Sequence, residues 1–250
     1  DIVSTATDGN GESPFEITTV SGESNELDVA VTTDVATRIE DGGDTGDATA
    51  ITVGNLTTRT DGSAENGSVI FAEGNASSGI GDVTTGSITA GGNVTFGSDG
   101  NSVGGIETGA IDANSGGDVT FGDGAGTGDI TTGNVTANAA VNFGESSGGD
   151  VGDTGSDGAI DTGTLTAGGD GSITVNNVSD DSKITAGAIT TNAGGSGTAG
   201  TITFNDGGLS APSITANAGK VDLSGLVNTV STVGTGGANA EVTGNVDVFQ

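Results

Sequence analysis

The chain contains no cysteine, histidine, methionine, tryptophan or tyrosine, and only four basic residues, Arg38, Arg59, Lys183 and Lys220. Each absence removes a class of structure or chemistry. Without cysteine, the disulfide staples of small secreted domains play no part. Without histidine or cysteine, the Ser-His-Asp and Cys-His nucleophile arrangements and the usual zinc ligand sets cannot be assembled within the chain. Four basic residues stand against 34 acidic ones, for a net charge of −30. Nucleic-acid binding needs cations that displace counterions from phosphates, so no nucleic-acid partner is expected. The same argument excludes anionic membrane surfaces, and no apolar run is long enough to insert in a bilayer. The seven phenylalanines are the only aromatic residues among 250, too few large side chains for one compact core of this length.

What the chain does have is glycine, 50 residues of it, and a recurring phrase. The phrase is aliphatic-x-Thr-Gly-x-aliphatic, seen at Val83–Ile88, Ile106–Ile111, Ile130–Val135 and Ile160–Leu165, with looser copies at Ile184–Ile189 and Leu209–Ile214. Copies start at 83, 106, 130, 160, 184 and 209, in steps of 23, 24, 30, 24 and 25 residues. A few residues after each comes a second motif, as in Val94-Thr95-Phe96, Val119-Thr120-Phe121 and Val141-Asn142-Phe143. A fixed period of this size marks a stacked repeat, in which each unit buries its apolar side only against its neighbours. Gly-rich acidic composition is shared with disordered chains, but disorder does not hold Val, Ile and Phe in register. An antiparallel sandwich or barrel would not require identical residues at a period of ~24. The expected fold is all-β, a parallel β-solenoid (β-helix) with coils of about 23–30 residues.

The copy from Ile130 to Phe143 sets out one coil. Successive strand side chains alternate faces, so Ile130, Val135, Val141 and Phe143 are expected inside, and Thr131, Thr136 and Asn142 outside. Gly133-Asn134 is expected to bend the chain where a positive φ costs little. Superposed copies give an inward phenylalanine column, Phe71, Phe96, Phe121 and Phe143, interrupted at Val175 and resumed at Phe204. The Gly/Ser/Asp-rich stretches 144–158 and 192–200 absorb the variation in repeat length as outward insertions. Residues 1–50 are expected to form irregular N-terminal coils or a cap, residues 51–225 the solenoid, and residues 226–250 a C-terminal cap or inter-subunit strand. In that last segment Val246, Val248 and Phe249 are the candidate assembly residues, because an open sheet edge must be covered or will pair with another molecule.

The run Asp129-Ile130-Thr131-Thr132-Gly133-Asn134-Val135-Thr136-Ala137-Asn138 resembles the repeats of large secreted bacterial β-strand-repeat proteins, among them the filamentous-haemagglutinin-like adhesins. The resemblance is one of pattern and covers about residues 50–225. It implies a right-handed parallel β-helix at a cell surface, acting in adhesion, matrix or filament formation. It carries over no functional residues, because the family's repeats contribute structure rather than chemistry.

Chemistry is sparse. Asp180-Asp181 and Asp150 with Asp153 could serve as carboxylate pairs of a glycan-cleaving enzyme, but a sugar cleft normally has aromatic platforms, so no enzyme is expected. Asp-Gly turns offer carboxylates and free carbonyls to a hard cation, which makes Asp123, Asp129, Asp150 and Asp153 candidate calcium ligands. The plainer reading is that Asp and Gly make good turns. Outward threonines form columns, one through Thr95, Thr120, Thr174 and Thr203, another through Thr89, Thr136, Thr166, Thr190 and Thr215. A flat Thr face can order water and bind ice; Thr is also a good residue for a solvated strand, and Asp112, Asn142 and Asp222 interrupt the columns. A start at Asp1 with no Met fits a mature product whose secretion signal has been removed, or a fragment of something longer. The expected role is extracellular and structural, a filament subunit with other copies of itself as partner, or else an adhesin stalk that binds glycans or surfaces through projecting loops.

Overall fold

The computed structural model describes residues 50–58, 67–71, 80–97, 101–113, 117–122, 126–144, 151–152, 159–169, 171–176, 178, 183–191, 200–216 and 220–225. It also describes the backbone of seven flanking strands, Ile2–Ser4, Phe15–Thr19, Asn25–Leu27, Val31–Thr33, Thr37–Asp41, Val233–Thr235 and Val242–Gly244. Among these residues the regular structure is all strand, and every pairing between strands is parallel. Each coil contributes one strand to each of three sheets, so the chain is a three-sided parallel β-solenoid.

The first face holds the Thr-Gly strands, such as Val83–Thr85, Ile106–Thr108, Ile130–Thr132 and Ala159–Thr162. The second holds Ile88–Thr89, Ile111–Ala113, Val135–Ala137 and Leu165–Ala167, and the third Val94–Phe96, Val119–Phe121 and Val141–Phe143. The flanking strands extend the same sheets, Asn25–Leu27 on the first face, Ile2–Ser4, Val31–Thr33 and Val233–Thr235 on the second, and the rest on the third. Register is strict: Ile106 pairs with Ile130, Ile111 with Val135 and Phe121 with Phe143. A strand of three residues has room for two inward side chains and one outward, and the burial pattern follows that alternation. Ile130, Val135, Val141 and Phe143 have no exposed surface, while Thr131 is exposed and Thr136 and Asn142 are half-buried on the outside.

The core is a column rather than a globule. Phe71, Phe96, Phe121 and Phe143 stack with ring centroids 4.7, 5.2 and 4.9 Å apart and interplanar angles of 3°, 3° and 11°. Val175 pairs with Phe143 on one side and with Phe204 on the other. Ring pairs left to themselves prefer offset or edge-on arrangements; here backbone register sets the separation, and the rings take the stacking it imposes. The inward threonines Thr85, Thr108 and Thr132 are each 7% exposed, and each donates its hydroxyl to the carbonyl of the following glycine at 3.0 Å. That bond satisfies a buried polar group locally, which explains why threonine serves at this inward position.

Two expectations are corrected by the geometry. Gly133 does not adopt a positive φ. Positive φ falls instead on Gly97, Gly122 and Gly144, directly after Phe96, Phe121 and Phe143, at 76°, 77° and 69°. Gly133 answers a different constraint: a Cβ there would lie 2.9 Å from the Ala110 nitrogen and 3.0 Å from the Gly109 carbonyl carbon of the preceding coil. Its own N–H is shared between Thr108 O at 3.2 Å and Gly109 O at 3.1 Å. Coils approach so closely at this corner that no side chain fits between them. The second correction concerns the stretch 144–158, expected to hold an outward insertion that leaves the core undisturbed. Val151 in it is fully buried and belongs to a fourth ladder, in which Ile80, Val103, Thr127, Val151 and Val178 bridge one another in sequence.

The corner predicts a contrast. Gly133→Ala destabilises by about 1–3 kcal/mol through overpacking against backbone. Gly105→Ala loses less, because its Cβ would meet a side-chain oxygen, Asp82 Oδ1, at 3.3 Å and its nearest backbone contact, Asp129 O, at 3.8 Å. Urea unfolding followed by circular dichroism ranks the two, and equal losses would refute the steric argument. In the column, Phe121→Ala costs about 3–5 kcal/mol as a cavity in a packed core. Phe204→Ala, with Val175 rather than a ring as its partner, costs less by roughly 0.5–1.5 kcal/mol for each stacked pair that Phe121 loses. The same unfolding experiment measures both.

Candidate functional surfaces

With the interior filled by side chains, chemistry available to a partner lies in the outward columns and at the corners. The corners carry a pattern built from Asn and Asp. Before the third face, Asn93 N–H donates to Ser68 Oγ at 3.1 Å, Asp118 N–H to Asn93 Oδ1 at 3.0 Å, and Ala140 N–H to Asp118 Oδ1 at 2.7 Å. Each side chain thus accepts the main-chain N–H of the next coil, and the relay runs through four coils. The corner between the first and second faces repeats the device, with Ser87 N–H donating to Asn55 at 2.8 Å and Thr164 N–H to Asn134 at 2.9 Å. Before the first face, Asp82 accepts from Gly105 N–H at 2.7 Å and Asp129 from Ala159 N–H at 3.0 Å. A turn leaves main-chain donors out of the sheet ladders, and a short acceptor one coil away takes them up.

The first face is the acidic one. Its outward column reads Thr52, Thr84, Glu107, Thr131, Asp161 and Thr185 in consecutive pairing. A shallow groove lies along it, lined by Asp82, Thr84, Glu107, Asp129 and Thr131. A second groove meets the first at Asp82 and is lined by Ile80, Val103, Thr127 and backbone glycines. Thr127 is 2% exposed, and its Oγ1 has no hydrogen-bond partner. It occupies a slot held by Ile or Val in the other coils of that ladder, where it fills the same shape. The third face adds Thr95, Thr120, Asn142, Thr174 and Thr203 in its outward column, with Asn142 reaching Thr120 at 3.5 Å. The next position in the column is Asp222, which pairs with Lys220 at 2.7 Å.

The second face differs from the first in charge. Its outward column is Thr57, Thr89, Asp112, Thr136, Thr166, Thr190 and Thr215, paired coil by coil. The residues two positions earlier, on the same side of the chain, include Ser87, Ala110, Thr164, Ala188 and Ser213. Asp112 is the single charge in these two columns.

Of the candidate calcium ligands, Asp129 is exposed at the corner before the first face, with one carboxylate oxygen engaged by Ala159 N–H. Asp123, Asp150 and Asp153 lie outside the described residues, as do Asp180, Asp181, Val246, Val248 and Phe249. Among the described residues no group of three or more acidic side chains is placed to hold a metal ion, and no helix is long and apolar enough to cross a membrane. Phe71, Phe96, Phe121, Phe143 and Phe204 are all fully buried. The Asn/Asp relay has a sequence signal, a short polar residue one position before the inward aliphatic, but its partner is the main chain of another coil. The fourth ladder is foreshadowed by lone aliphatics before glycine, Ile80-Gly81, Val103-Gly104 and Val151-Gly152. Comparison with protein-family models, with curated proteins and with solved structures returns no match.

The relay generates a test that separates hydrogen bonding from charge. Asp118→Ala leaves Ala140 N–H without its acceptor and costs about 0.5–1.5 kcal/mol. Asp118→Asn keeps an acceptor oxygen and removes one charge from a strongly acidic chain, so it is neutral or slightly stabilising. Equal losses in the two variants, measured by urea unfolding, would mean that the carboxylate acts through its charge instead.

Proposed function

We propose that this chain is a non-enzymatic, extracellular structural protein, a subunit of a cell-surface or matrix filament that assembles by end-to-end stacking of β-solenoids. The observation that carries the reading is the register. Each coil offers the next the same columns of donors, acceptors and side chains, as in the pairing of Phe71, Phe96, Phe121 and Phe143. A parallel stack leaves unpaired N–H and C=O groups wherever it stops, and a like coil of another copy fits that edge by the same register. Such a head-to-tail contact is heterologous and propagates without closing. Residues 226–250, with Val246, Val248 and Phe249, are the segment assigned to the joint. The pattern resemblance to secreted adhesin repeats supports the surface location. The charge of −30 favours a setting rich in salt or divalent cations, where repulsion between stacked carboxylates is screened. Calcium at the acidic turns around Asp123, Asp129, Asp150 and Asp153 is part of the proposal. A second reading, a monomeric adhesin stalk that binds glycans or surfaces through projecting turns, is favoured by the step of 30 residues from 130 to 160, against 23 to 25 elsewhere.

Negative-stain electron microscopy of the purified chain, with and without calcium, tests both. Long thin fibres are expected, lost on deletion of residues 241–250 while circular dichroism keeps its β signal. Fibres that form only with calcium would give the acidic turns their role. Short rods of uniform length in both conditions would end the filament reading in favour of the stalk.

A further inference from the structure

The second face combines three properties that the other two lack together. First, six of the seven central outward positions from Thr57 to Thr215 are threonine, held in a single registered column. Parallel registration puts successive hydroxyls ~4.8 Å apart, close to the spacing of oxygens along one axis of hexagonal ice. Second, the strands of this face repeat without a register shift: Ile88 pairs with Ile111, Ile111 with Val135 and Val135 with Leu165, so the same outward position recurs at the coil spacing along the face. Third, Asp112 is the single charge among the described outward residues of this face, in a chain of charge −30. Among the described residues beside the threonines, Ser87, Ala110, Ala188 and Ser213 are small, and the Asn55 and Asn134 side chains are tied along the axis to the next coil. Thr89, Thr136, Thr166 and Thr190 are the outward residues of their strands, and their hydroxyls bond to none of the described residues.

We propose that the second face binds ice, with the threonine column anchoring an ordered layer of water continuous with the crystal. The unused hydroxyls favour this occupant over a second copy of the chain, which would bury them dry against another row of hydroxyls. They also favour it over a polysaccharide, whose sugar rings would need the stacking platforms that the chain's composition withholds. Asp112 is the weak point of the column, because a half-buried carboxylate with one oxygen shielded from solvent interrupts the row of hydroxyls. Ice binding is independent of end-to-end assembly: a single rod carries the whole face.

The test is adsorption of the full chain to a growing ice crystal, read as thermal hysteresis and as inhibition of recrystallisation. The native chain is expected to facet the crystal, and Asp112→Thr to increase the hysteresis. Thr136→Tyr with Thr166→Tyr is expected to lose the effect, while Thr95→Tyr with Thr174→Tyr, the same change on the third face, keeps it. Circular dichroism of each variant confirms that the β signal is intact. If neither the native chain nor Asp112→Thr adsorbs to ice, or if both tyrosine pairs lose adsorption equally, the proposal fails. Sedimentation velocity covers the rival occupant: a concentration-dependent dimer abolished only by the second-face tyrosines would assign the face to self-association and overturn ice binding.

Discussion

Everything in this molecule follows from one constraint, the hydrogen-bonded spacing between parallel coils. Main-chain N–H and C=O groups of a strand satisfy one another only across that gap, so each coil must reproduce the cross-section of the one before it. A side chain that enlarges one coil displaces every ladder above it. The glycine at the Thr-Gly corner is the sharpest consequence. At Gly86, Gly133 and Gly163 a Cβ would lie within 3.0 Å of atoms in the preceding coil. The same spacing brings the phenylalanine rings to 4.7–5.2 Å, and composition adapts to it: a thin column needs Val, Ile, Ala and an occasional Phe, and has no room for Trp.

The corners extend this logic to groups the sheets cannot serve. Where the chain turns, ladder bonding lapses, and Asn, Asp and Ser side chains take over the N–H groups of the neighbouring coil. These residues are usually read as local turn formers that bond their own backbone. In a solenoid they act across coils, at sequence separations of 22 to 32 residues. Part of the acidic content of this chain is therefore structural, since Asp82, Asp118 and Asp129 each hold an N–H of the next coil. Glu107 and Asp161, by contrast, are exposed on the outward column of the first face.

How far the sequence could be read depends on whether a residue's role is repeated and local. The phenylalanine column was legible because Val-Thr-Phe recurs and strand alternation assigns its inward side unambiguously. The inward role of Thr132 could be inferred from Ile130 two positions before it. The reason for Gly133 could not, because the sequence does not distinguish a glycine chosen for φ from one chosen for lack of a Cβ. That choice is made by the coil beneath, through the Ala110 nitrogen and Gly109 carbonyl carbon. Val151 was hidden for a related reason. It is a lone aliphatic in a run of Gly, Ser and Asp, and periodicity methods need more than one apolar residue to register a strand. The glycine that follows it, as after Ile80 and Val103, is a hint, but its pairing with Thr127 and Val178 is established by the stacking of coils. The candidate calcium ligands were read from turn composition, which reports that carboxylates are abundant but says nothing of how they converge.

A solenoid of three-residue strands also constrains what kind of function its regular part can have. Most strands provide one outward position, and Lys183–Thr185 provides two, so the surface consists of columns and each column has the period of the coil. A point site, such as a catalytic dyad or a metal centre, needs unlike residues converging within one coil, and the repeat resists this because neighbouring coils carry similar side chains. Extended partners suit columns: another stack, a polymer or a crystal lattice, each of which meets the same group many times and gains from every copy. In that frame the departures from the period carry as much information as the period itself. Glu107 and Asp161 charge one column while Asp112 alone charges another, so the three faces differ in what they can meet even though one backbone builds them all. Selection on such a surface acts on whole columns, and a single substitution matters most where it breaks one.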